Sequence, residues 1–104
     1  MVYSGYTGTL VTVGITAQSL LALIRVNRPN CPAACRALQF QTPGTNPGSV
    51  YFGESAVSAT DYGYEMPLGD TKNYPNDGAV TIPLAAIFVI GSVADCDLAV
   101  EVIW

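Results

Sequence analysis

Glycine and proline interrupt this chain at short intervals, and no other feature limits its fold as strongly. The 104 residues include 10 glycines and 7 prolines, spread along the whole length. Between them run short segments rich in Val, Ile, Thr and Tyr, whereas Lys and Arg, common on the solvent side of helices, total only 4. Short apolar runs bounded by turn residues are typical of an all-β sandwich or barrel. We expect about eight short strands in a two-sheet β-sandwich of the jelly-roll type.

Alternation of apolar residues locates the strands of this sandwich. The alternation is cleanest at the end of the chain, where every second residue from Leu98 to Trp104 is apolar. We therefore predict that the last strand is central to the stability of the fold and that Trp104 is buried. The same pattern turns Leu38, Phe40, Val50 and Phe52 inward. The predicted strands are 9–16, 20–27, 36–41, 49–53, 62–66, 79–82, 85–91 and 97–104, with loops over 54–61 and 72–78.

For the segment 20–27 the pattern is consistent with either a strand or a helix. Its sequence LLALIRVN is also consistent with a helix. Arg28 and Pro29 end it after a length that is short for a helix, so we predict a strand with two apolar faces. A small sandwich cannot bury both faces of every strand, and leftover apolar faces mark interfaces. We predict that Leu21 and Leu23 lie on such a face, together with Ile87 and Val89 in the strand 85–91.

We divide the chain into an N-terminal arm, residues 1–8, and one β-sandwich domain, residues 9–104. The arm precedes the first alternating strand and carries Tyr3 and Tyr6 but no charged side chain. Chain ends are poorly ordered unless something ties them down. We therefore expect a neighbouring molecule to hold the arm, and deletion of residues 1–8 to leave the fold intact.

The charged residues exclude several classes of function. The formal net charge is −4, and 4 cations cannot form the basic stripe that nucleic-acid binding requires. The chain has no histidine, the most common general base. Asp97 and Glu101 lie about 13 Å apart along a strand, too far for a glycosidase pair. We predict a protein that is not an enzyme and needs no cofactor.

The 3 cysteines do not form a disulfide framework, because their number is odd. The CPAAC segment places Cys31 and Cys35 in a tight loop, where either a disulfide or two buried thiols are possible. Zinc would need a carboxylate ligand, which is uncommon in structural sites. Oxygen ligands for calcium occur at Asp70, Asn73, Asn76 and Asp77, but without EF-hand spacing. We predict no metal site.

No segment suggests contact with a membrane. No stretch reaches the roughly 18 apolar residues of a transmembrane helix. The first residues carry no Lys or Arg before their apolar part, so we expect no signal peptide.

Tyrosine supplies the candidate binding residues. The chain has 6 tyrosines, and tyrosine is enriched at protein–protein contacts. Aromatic side chains on a β surface also stack on sugars, so glycan binding stays open. The predicted interface residues are Tyr3, Tyr6, Leu21, Leu23, Tyr62, Tyr64, Ile87 and Val89.

The stretch from Leu38 to Ile103 resembles a family of small β-sandwich virion proteins of tailed bacteriophages. The motifs that carry the resemblance are VYFGES at 50–55, MPLGD at 66–70, VTIPL at 80–84 and IFVIGSVAD at 87–95. The resemblance implies a structural protein made in the host cytoplasm and assembled on the capsid surface. We expect a capsid cement (decoration) protein that forms a homo-oligomer, most simply a trimer, and binds the major capsid protein. The alternatives are a tail or fibre component and a host-glycan-binding module.

Overall fold

A computed structural model describes residues 5–74 and 81–104 of the chain. Within these ranges the backbone forms ten strands, one α-helix and one 3₁₀ turn at Leu84–Ala86. The elements are β1 (Tyr6–Val13), β2 (Gln18–Ser19), α1 (Leu20–Asn27), β3 (Ala34–Cys35), β4 (Ala37–Gln41), β5 (Val50–Gly53), β6 (Tyr64–Met66), β7 (Thr71–Tyr74), β8 (Ile82–Pro83), β9 (Phe88–Gly91) and β10 (Cys96–Ile103).

The described strands form two antiparallel four-stranded sheets and one short extra pair. The first sheet has the order β1-β10-β4-β7, the second sheet has the order β2-β9-β5-β6, and β3 pairs with β8. The inner faces of both sheets contribute to one apolar core. This confirms the predicted small all-β sandwich.

Strand β10 lies inside the first sheet, between β1 and β4. Leu98, Val100 and Val102 are buried, which confirms the face predicted from their alternation. Trp104 is only half-buried, although it was predicted to be buried, and its ring packs against the edge of the core. The inward side chains of β4 and β5 are also as predicted, with Leu38, Phe40, Val50 and Phe52 all buried.

The segment 20–27 is a helix, so the prediction of a strand is wrong. Ser19 caps it, because its Oγ accepts a hydrogen bond from the backbone N–H of Ala22 at 3.1 Å. The buried side chains are Leu20, Leu21, Leu23 and Ile24, whose spacing is that of one helix face. The helix packs on β1, and Leu21 and Leu23 therefore belong to the core of this chain and not to an exposed second face.

The first strand begins inside the segment predicted as an arm. Tyr6 lies opposite Ile103, and Gly8 lies opposite Glu101 in β10. Gly5 and Trp104 extend the ladder by exchanging two backbone hydrogen bonds of 3.0 Å. Residues 5–8 are thus held by their own chain, which corrects the arm boundary at residue 8. Tyr3 lies outside the described residues.

Two further segments differ from their predictions. Thr71–Tyr74 pairs with β4 as β7, so the start of the predicted loop 72–78 is a strand. In the segment 85–91, the 3₁₀ turn Leu84–Ala86 comes first and β9 starts only at Phe88. Ile87 and Val89 lie on the same side of this segment, and that side faces the core. Val89 is therefore fully buried in the core, which corrects its placement on an exposed face. Residues 79 and 80 of the predicted strand 79–82 lie outside the described ranges.

Candidate interaction surfaces

The outer side of the second sheet carries a group of half-buried apolar side chains. Val50 and Val89 point into the core, so their neighbours Tyr51, Phe88 and Ile90 point outward. Tyr51 and Ile90 are directly opposite each other in the β5–β9 pairing. We call Tyr51, Phe88 and Ile90 the aromatic face. Large apolar side chains on the outside of a sheet are typical of a surface that binds another molecule.

Tyr62 extends this surface at the β6 edge. Its ring centroid lies 4.6 Å from that of Tyr51, at an interplanar angle of 40°. Tyr62 remains 42% exposed, so part of its surface is accessible to a partner. Its hydroxyl donates a 3.4 Å hydrogen bond to Glu65 Oε1. The charge of Glu65 raises the pKa of Tyr62 above its ordinary value.

Beside Tyr62 is an open cleft of about 350 Å³. Its lining residues include Glu54 and Asp61 together with Ala56 and Val57, and we call this the Tyr62 cleft. The second half of the loop 54–61 that shapes it is a tight turn, because Ser58 and Asp61 exchange backbone hydrogen bonds. Buried Val57 anchors the same loop to the domain. The cleft therefore combines an apolar lining with two acidic side chains.

A cation lies between two tyrosines where the edges of the two sheets meet. Lys72 Nζ is 4.0 Å from the ring centroid of Tyr64 and 5.0 Å from that of Tyr74. The Tyr64 hydroxyl donates a 3.0 Å hydrogen bond to Asp70 Oδ2, which raises the pKa of Tyr64. Tyr64 belongs to β6 and Lys72 to β7, so this cation–π contact links the two sheets. Its geometry fits a structural role.

The outer side of the first sheet is more polar. Tyr6 is 59% exposed, and its hydroxyl donates a 3.0 Å hydrogen bond to Glu101 Oε2. That hydrogen bond raises the pKa of Tyr6. The ring crosses Gly8, where any Cβ would collide with it. Exposed Gln39 and Gln41 continue this face along β4.

The predicted interface residues do not form one surface. Tyr6 and Tyr62 are exposed, but Tyr6 lies in the first sheet and Tyr62 lies beside the edge strand β6 of the second sheet. Tyr64 and Ile87 are half-buried and packed against the core. Tyr51, Phe88 and Ile90 are not among the predicted interface residues. Phe88, Val89 and Ile90 are all apolar, so no alternation in the sequence indicates which of them point outward.

The three cysteines are buried free thiols. This settles the alternative that the sequence left open between a disulfide and two thiols at Cys31 and Cys35. Burial raises the pKa of Cys35 to about 11, and the neighbouring Cys31 adds to the shift.

Among the described residues, no group of three or more His, Cys, Asp or Glu side chains is placed to hold a metal ion. Asn76 and Asp77, considered above as calcium ligands, lie outside the described residues. No helix in the described ranges is long and apolar enough to cross a membrane.

Comparison of the chain with protein-family models, curated proteins and solved structures gave no match.

Proposed function

We propose that this chain is a non-enzymatic virion structural protein that binds the outer capsid surface and cements neighbouring capsomers. The observation that carries the proposal is the pairing order of the strands. In chain order the eight strands of the two main sheets can be counted 1 to 8. The first sheet then has the order 1-8-3-6 and the second has the order 2-7-4-5.

This order supports a jelly-roll topology. Strand 1 pairs with 8, 2 with 7, 3 with 6 and 4 with 5, as in one long hairpin, and successive pairs fall in alternate sheets. Rolling a long hairpin in this way produces two Greek keys. Domains of this topology are common in viral capsids and in lectins. The resemblance of 38–103 to phage virion proteins favours the capsid among these roles.

The aromatic face is the surface through which we expect the protein to bind the capsid. Cementing requires binding energy and no chemistry, and Tyr51, Phe88 and Ile90 supply apolar area on one side of the sandwich. Many copies on one particle add their interface areas, so modest affinity per copy is sufficient. A trimeric assembly strengthens this effect, because three faces engage together.

The test is binding to purified capsids of the parent phage that lack this protein. Wild-type protein should co-sediment with the capsids and raise the temperature at which they release DNA. The double variant Phe88→Ser/Ile90→Ser, checked for folding by circular dichroism, should lose binding, whereas Tyr6→Ser on the other sheet should retain it. Absence of wild-type binding would remove the capsid proposal. Loss of binding in Tyr6→Ser alone would move the docking surface to the first sheet.

A second candidate is glycan binding, and the Tyr62 cleft favours it. A sugar ring can stack on the exposed part of Tyr62 while its hydroxyls donate to Glu54 and Asp61, which line the same cleft. This predicts glycan binding that Tyr62→Ala abolishes and Tyr6→Ala leaves unchanged, measured on an array of bacterial surface glycans. Binding that survives Tyr62→Ala would exclude this cleft as the site.

A further inference from the structure

The C-terminal end of α1 presents one exposed apolar side chain between two cationic side chains. Val26 is 78% exposed, the highest value among the large apolar residues exposed in the described chain. Arg25 and Arg28 flank it, and both are exposed. Arg25 Nε donates to the carbonyl of Cys31 at 2.9 Å, and the Arg28 guanidinium donates to the carbonyl of Asn27 at 3.0 Å. These bonds fix the conformation of what we call the helix tip, residues Arg25, Val26 and Arg28.

The Tyr62 cleft has the complementary character. Its lining includes Ala56 and Val57, against which an aliphatic side chain can pack, and its charged members are the carboxylates Glu54 and Asp61. A guanidinium brought to the cleft also meets the partly exposed ring of Tyr62, a favourable cation–π partner. The helix tip is therefore complementary to this cleft. Its exposed valine can pack against the apolar residues, and its two cations are opposite in charge to the two acidic residues.

The two features lie at opposite edges of the sandwich. The helix packs on β1 and follows directly on β2, and these strands are edges of the first and second sheets. The Tyr62 cleft lies between β5 and β6, and β6 is the other edge of the second sheet. A helix tip therefore cannot reach the cleft of its own chain. It can reach only the cleft of another copy.

We propose that copies of this chain associate head-to-tail, with the helix tip of one copy in the Tyr62 cleft of the next. A contact between two different surfaces is heterologous, and such contacts close into a ring when the rotation between copies permits. A ring of three copies is the trimer expected of a cement protein. The inference rests on the proposed function only for the expectation that several copies act together.

The test uses one variant for each side of the contact. Val26→Glu places a carboxylate where the cleft is already acidic, at a position whose exposure makes it harmless to the fold. Glu54→Arg places a cation where the arriving tip is cationic. Each variant alone should weaken self-association at least tenfold in sedimentation velocity. Glu101→Arg on the first sheet makes the same charge change as Glu54→Arg and should leave self-association at the wild-type level.

Mixing the two variants distinguishes head-to-tail association from other arrangements. The Val26→Glu chain keeps an intact cleft and the Glu54→Arg chain keeps an intact tip, so the mixture should form complexes that neither variant forms alone. A tip-to-tip or cleft-to-cleft interface predicts that only one of the two variants is impaired. That result, or a wild-type chain that stays monomeric at millimolar concentration, would overturn the inference.

Capsid binding is measured on the same samples. Capsid binding together with unimpaired association of both variants would refute the head-to-tail contact and leave the proposed function intact. Complementation in the mixture without capsid binding would refute the proposed function and leave the head-to-tail contact standing.

Discussion

The side chain of Asn46 takes the place of a missing strand residue beside β10. Its Nδ2 donates to the carbonyl of Asp97 and its Oδ1 accepts from the Asp97 N–H, both at 2.8 Å. The pairing of β4 with β10 ends at Gln41 and Ala99, so Asp97 has no strand partner on that side. Asn46 is 5% exposed, and its two bonds continue the ladder beyond the end of β4.

Replacing Asn46 by Ala should therefore be costly. The change leaves the N–H and the carbonyl of Asp97 without partners, and a buried unpaired group costs about 1–3 kcal/mol. Because Asp97 is half-buried, we expect a loss of about 2–3 kcal/mol in the free energy of unfolding, measured in urea. Thr45→Ala, at an exposed position of the same turn, should change it by less than about 0.5 kcal/mol. Equal effects of the two variants would refute this role.

In the turn 42–48, the sequence predicts the change of chain direction but not which side chains are buried. Proline and glycine predict that the chain turns between Thr42 and Gly48. They do not predict that Thr42 and Asn46 are buried, because their partners are distant in sequence. The hydroxyl of Thr42 donates to the carbonyl of Pro67 at 2.6 Å and accepts from the N–H of Asp70 at 2.9 Å.

Gly5 and Trp104 form a pair in which glycine makes room for the indole. A Cβ at Gly5 would collide with the Trp104 ring. Gly5→Ala should therefore displace the ring from the core edge and shift the fluorescence of this single tryptophan to longer wavelength. Gly14→Ala is the control, since a Cβ there meets no atom within 4 Å. Unchanged emission in Gly5→Ala would show that the ring does not lie over the glycine.

At the scale of elements, the N-cap decides the identity of α1. Ser19→Ala removes the side-chain bond to the N–H of Ala22, and loss of such a cap costs about 1 kcal/mol. We expect this decrease in the free energy of unfolding, together with weaker helical circular dichroism. Ser55→Ala, in the exposed loop 54–61, should have no measurable effect. If Ser19→Ala is as stable as the wild type, the cap does not contribute to the stability of α1.

The pattern of apolar residues predicts β10 correctly and α1 wrongly, and the difference has a physical reason. In β10 every residue of the inner face is apolar, whereas Asp97 and Glu101 interrupt the outer face, so a period of two fits. In α1 the residues Leu20 to Ile24 are all apolar, and an unbroken apolar run fits a strand or a helix equally well. The residue that distinguishes the two is Ser19, whose side chain caps the helix.

The N-terminal residues yield a prediction opposite to that made from sequence. Deletion of residues 1–8 removes the ladder pairs of Tyr6, Thr7 and Gly8 with β10 and the hydrogen bond from Tyr6 to Glu101. The deletion should therefore lower the melting temperature of the isolated protein by several degrees or more. A melting temperature equal to that of the full chain would restore the arm as a separate element.

At the scale of the whole molecule, the candidate binding residues of the second sheet could be predicted from the sequence only in part. The abundance of tyrosine pointed to contacts, and Tyr62 is indeed exposed beside a cleft. The aromatic face was not predictable, because Tyr51 belongs to β5 whereas Phe88 and Ile90 belong to β9. Only the pairing of β5 with β9 brings them together.

The buried thiols make the fold sensitive to alkali. Burial raises the pKa of Cys35 from 9.0 to about 11, and it also raises that of Cys31. Between these values the unfolded chain loses its thiol protons while the folded chain keeps them. The unfolded state then binds fewer protons, so the free energy of unfolding falls as the pH rises. This stabilising contribution is fully present below pH 9 and is lost towards pH 11.

Urea unfolding at a series of pH values measures this loss. One proton accounts for a slope of at most about 1.4 kcal/mol per pH unit. Cys35→Ala should reduce the slope between pH 9 and 11, although Cys31 and Tyr74, whose pKa burial also raises, continue to contribute. A slope that is the same in wild type and Cys35→Ala would mean that Cys35 ionises as readily in the folded chain as in the unfolded one. The packing of β3 against β8, where Cys35 faces Ile82, would then have to be more open to water than its 1% exposure implies.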